Sequence, residues 1–109
     1  MYLMIVVLQD ETLLKKVIGI LIELELFNST ILDGEEPETV AVESLPLFYD
    51  LANFIQGENI YNKTIIAHVP EKETIEDFVK ICKKEGIDFF KPNTGWVSAF
   101  KSEFFAGIE

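Results

Sequence analysis

The chain has 109 residues, 49% of them hydrophobic, which is enough for one domain (residues 1–109) with a real core. Its formal net charge is −10, and all nine basic residues are lysines. Without arginine for bidentate contacts to phosphate or guanine, and with this acidity, the composition argues against a nucleic-acid partner.

Cys82 is the one cysteine, so no internal disulfide forms and a reducing, cytoplasmic setting is expected. The opening MYLMIVVLQDE lacks a basic leader and is not read as a signal peptide. No apolar run is long enough for a membrane span. Without a secretory signal, the sequons at Asn28 and Asn62 carry no weight.

Residues 2–8, YLMIVVL, form a continuous apolar run that predicts a central strand. Asp10 then offers an N-cap for a helix from about Glu11 to Leu26, striped by Leu14, Val17, Ile18 and Leu21. Leu13, Ile20, Ile22 and Leu24 widen that stripe beyond one face. Ser29 to Leu32 predicts a second strand, ended by a turn at Asp33-Gly34. An acidic insert, residues 34–59, follows. Within it, residues 45–55 (LPLFYDLANFI) have the spacing of a short amphipathic helix, closed by Gly57.

A third strand is expected from about Ile60 to Val69, with Ile65, Ala67 and Val69 on one face and Thr64, Ile66 and His68 on the other. After Pro70 a helix runs to about Glu85, striped by Ile75, Phe78, Val79 and Cys82. Thr74 with Asp77 suggests a capping box, and Gly86 a C-terminal stop. A turn at Pro92 to Gly95 leads into a last strand, Trp96 to Phe100, and an apolar tail. The order is the α+β, ferredoxin-like βαββαβ plan: an antiparallel four-stranded sheet with two helices on one face. Strands apolar on both faces predict that the uncovered face meets another subunit.

No known catalytic motif is present. Cys82 lies on an apolar helical stripe, where a buried structural thiol is expected. His68 has no sequence-near partner for a metal or a nucleophile. Glu35 and Glu36 sit in the acidic connection, while Glu23 and Glu25 point to different helix faces. The phosphate-loop, dinucleotide and nucleophile-elbow glycine patterns are all missing. The reading is therefore a non-catalytic protein.

The layout resembles the nitrogen regulatory P-II family and its P-II-like relatives over essentially the whole chain. The resemblance is carried by the YLMIVVL strand, the helix, the second strand, the long insert before YNKTIIAHV, the second helix and the closing TGWVSAF strand. It implies a homotrimer with small-molecule ligands between subunits, adenine nucleotides among them, and an insert that signals to a partner protein. It also implies a ligand site lined by Asp33, Gly34, Lys63, Thr94, Gly95 and Trp96. Lys63 matches a lysine at the base of the family's loop. Trp96 stands where the family has a phosphate-binding lysine, and Gly107 where it has an arginine. Each lost charge-assisted hydrogen bond removes about 1.5–3 kcal/mol, so weak ATP binding is expected. The alternatives from the layout are a trimer of the divalent-cation tolerance type and a small dimeric α+β barrel enzyme using His68 as acid/base.

Overall fold

A computed structural model describes residues 1–37 and 61–108. The chain runs through β1 (Tyr2–Leu8), a 3₁₀ turn (Glu11–Leu13), α1 (Leu14–Glu23), β2 (Ser29–Glu35), β3 (Tyr61–Val69), α2 (Lys72–Lys84) and β4 (Gly95–Lys101). The expected helix over 45–55, its Gly57 cap and Tyr49 lie outside the described residues. The four strands form one sheet in the order β2-β3-β1-β4, and every neighbouring pair is antiparallel. This α+β arrangement is compatible with a ferredoxin-like fold.

Alternation decides the core. Met4, Val6 and Leu8 of β1 and Ile65, Ala67 and Val69 of β3 point to one face and are almost wholly inaccessible. They pack with Val17, Ile20 and Leu21 of α1 and with Phe78 and Cys82 of α2. The over-wide apolar stripe of α1 is resolved by rotation: Ile20 goes into the core, whereas Ile22 is exposed. The first turn of that expected helix is a 3₁₀ turn, and the Asp10 carboxylate accepts from the backbone N–H and the hydroxyl of Thr12.

Both helices stop in the same way. At α2, Gly86 has φ +88°, with Ile87 N–H donating to the Cys82 carbonyl and Gly86 N–H to that of Lys83. At α1, Leu26 N–H donates to Leu21 and Glu25 N–H to Ile22, with Glu25 itself at φ 60°. These are left-handed helix stops, one built on glycine and one on a glutamate.

Two expectations are corrected. Asp33-Gly34 is no turn: β2 continues through both residues to Glu35, pairing Asp33 with Lys63 and Gly34 with Asn62. The glycine serves a close approach, because a Cβ there would land on the side-chain oxygen of Asn62. The capping box at Thr74 does not form either. The N-cap is Glu71, without a side-chain bond, and Thr74 N–H donates to the Glu71 carbonyl. An acidic residue ahead of Lys72 starts the helix one turn earlier than the Thr-x-x-Asp spacing suggests.

Candidate functional site

The sheet has an insert end, where β2 leaves and β3 returns, and a tail end, where β1 begins and β4 finishes. Register puts Asp33, Lys63, Leu8 and Gly95 in one row across the four strands at the insert end. The Lys63 ammonium forms an ion pair with the Asp33 carboxylate. That hydrogen bond holds the lysine above its ordinary pKa, helped by the charges of Asp33 and Glu11 and opposed by partial desolvation.

A cleft of about 350 Å³ opens here between Glu11, Asp33, Gly34, Glu35 and Lys63. Its single ammonium faces three carboxylates. Lys63 is thus already engaged, and an incoming anion has to displace Asp33 and meet two further negative charges. The resemblance matches Lys63 to a lysine at the base of the family's loop, an anion contact; here its ammonium pairs with a carboxylate from the neighbouring strand.

Thr94 and Gly95 sit at the same end, two strands and roughly 10 Å from Lys63, with Gln9 N–H donating to the Thr94 carbonyl at 3.0 Å. Gly95 has φ +134°, and a Cβ there would strike the Val7 carbonyl. Trp96 belongs to the next row, Leu32–Thr64–Val7–Trp96, and therefore lies on the opposite face of the sheet. The six residues share one end of the sheet, and Asp33, Gly34 and Lys63 line one cleft among the described residues.

Asn62, which with Lys63 and Thr64 marks where the insert rejoins the sheet, and Glu11, which had not been singled out, join this end. Asn62 is 8% exposed and donates from Nδ2 to the Glu36 carboxylate at 3.1 Å, which ties the two roots of the insert together. Its Oδ1 has no partner among the described residues. A polar residue alternating with Thr64 and Ile66 in a buried strand was the available signal. For Glu11 the signal was weaker: it is merely the first residue of the turn that follows β1.

At the other end, His68 is half-buried and packs against Phe105 with ring centroids 4.7 Å apart. Cys82 is fully buried, and desolvation pushes its thiol up to about 12. A protonated, enclosed thiol is a core residue and not a nucleophile. No helix among the described residues is long and apolar enough to cross a membrane.

No family model matches the chain, and no curated protein resembles it significantly in sequence.

Proposed function

We propose that this protein is a P-II-like regulatory sensor that acts as a homotrimer without catalysing a reaction. The small-molecule effector is taken where subunits meet near the insert end, and the 34–59 insert carries the signal to a partner protein. The observation that carries this reading is the sheet face turned away from the helices. Leu3, Ile5, Val7, Thr64, Ile66 and Phe100 lie on it, with Thr30, Leu32, His68, Trp96 and Ser98 around them. In a chain of net charge −10, none of these positions is Asp, Glu or Lys.

Copies of so acidic a protein repel each other wherever carboxylates come together, so an uncharged apolar face is the surface on which they can associate. At roughly 4.8 Å between strands and 3.3 Å per residue, four strands of about seven residues cover on the order of 450 Å². Stable interfaces take about 800 Å² from each partner. A simple face-to-face pair falls short of that area. A ring in which each copy meets two neighbours also buries Ile31 on the edge strand, which is exposed in a single copy.

Light scattering on the purified chain tests the assembly. A trimer is expected, Ile66→Lys should dissociate it, and a clean dimer or monomer removes the reading. Thermal-shift measurements with ATP, cyclic dinucleotides and divalent cations address the effector. Little stabilisation by ATP is expected, since Lys63 is already paired.

A further inference from the structure

The tail end of the sheet holds a second cavity, separate from the cleft at the insert end. Its volume is about 180 Å³, and Glu25, Phe27, Asn28, His68, Pro70 and Phe105 are among its walls. These residues come from the stop of α1, the approach to β2, the end of β3 and the chain's last segment. Residues 102–108 cross this end of the sheet, tied at both ends of the crossing. Ser102 N–H donates to the Met1 carbonyl at 2.9 Å, and the Asn28 side-chain amide donates to the Ile108 carbonyl at 2.7 Å. Between those ties Phe105 lies against His68 and forms one wall.

From these walls we infer that the cavity is a binding site for a small aromatic amine. Size sets the first limit: the volume equals about six waters at roughly 30 Å³ each, enough for one ring and a short arm. The aromatic walls set the second, because Phe27 and Phe105 offer faces for a ring to stack on and for a cation to approach. Hydrogen-bonding capacity sets the third. Asn28 gives one of its two amide N–H groups to the tail, and its side-chain oxygen is left to accept. Glu25 brings a carboxylate, which also accepts, and Met1 in the same lining carries the terminal ammonium. The Glu25 carboxylate suits a ligand that donates, and the −10 chain favours a cation over an anion.

Glu25 supplies an independent mark. It occupies the left-handed stop of α1, the position that glycine fills at the end of α2. A non-glycine residue there costs stability, and such strain gathers where a side chain has work to do. In this fold the strained residue also supplies the carboxylate of the cavity.

The chain contains one histidine, so a single imidazole signal reports on this site by NMR. The probes are 2-phenylethylamine and its anionic counterpart phenylacetate, titrated into the full-length protein. The amine is expected to shift the His68 resonance saturably, together with the backbone signals of Ala106 and Gly107, while phenylacetate leaves them in place. Phe105→Ala should weaken the amine by at least about fivefold. Glu25→Gln should weaken it by about threefold, as a partly exposed ion pair implies. Three results overturn the inference: no saturable shift with the amine, an equal or stronger response to phenylacetate, or amine binding unchanged in Phe105→Ala. The Trp96 emission of each variant verifies that the sheet is intact.

Discussion

The two ends of the sheet are built from the same four strands and have opposite character. At the insert end, polar side chains pair across the two roots of the insert: Lys63 with Asp33, Asn62 with Glu36. At the tail end, aromatic and apolar residues surround an open space whose acceptors are only partly used. The difference lies in how the contacts are made. The insert end is closed by strand pairing, which fixes Asp33 against Lys63 by register. The tail end is closed by the last residues of the chain folding back onto a segment 80 positions earlier, from Ile108 to Asn28.

That contrast explains what was legible in the sequence. Alternation in YNKTIIAHV placed Ile65, Ala67 and Val69 in the core and His68 on the other face, and helical spacing found both helices. Grouping Asp33, Gly34 and Lys63 was also possible, since they flank the two roots of one insert. Period-based reading failed at Gly34, where a turn-like dipeptide hides a cross-strand approach to Asn62. It gave no sign of the tail cavity, because Phe105 and Asn28 belong to no shared period. His68 looked like a strand residue facing a neighbouring subunit. Its nearest aromatic contact is the chain's own tail.

The largest expected effect separates the two ends directly. Gly95→Ala places a methyl group against the Val7 carbonyl at a backbone angle that side chains rarely adopt. Strain and overpacking together should cost roughly 3–5 kcal/mol. Hydrogen exchange should show protection lost first at Leu8 and Trp96, while Ser102 at the tail end keeps its own. Equal loss at both ends would mean that the sheet opens as a single unit and the contrast is only chemical.

The next effect comes from the core that both ends share. Burial raises the Cys82 thiol from 9.0 to about 12, so the folded state keeps a proton that the unfolded chain releases above its own pKa. Stability is therefore complete below pH 9.0 and falls as pH rises towards about 12. The slope is about 1.4 kcal/mol per pH unit for one proton. Denaturant titrations between those limits should show the fall, and Cys82→Ala should flatten it. A lost thiol proton in the common core loosens both ends alike, which distinguishes this effect from the one-sided damage of Gly95→Ala.

The smallest effect is the most informative about the tail end, because its sign depends on what Glu25 is for. At the stop of α2, Gly86 has open space around it, so Gly86→Ala pays only for the left-handed backbone, about 1 kcal/mol. The stop of α1 has the same hydrogen bonds with a glutamate in place. Glu25→Gly should therefore stabilise the fold by roughly 0.5–1 kcal/mol, a rise of a few degrees in melting temperature. In the same variant the cavity loses its carboxylate, and 2-phenylethylamine binding should weaken. A protein that becomes more stable while binding less well shows the glutamate held against the preference of its backbone. Were Glu25→Gly to lose stability instead, the side chain would be supporting the helix stop itself, and the two helix ends would differ in sequence without differing in role.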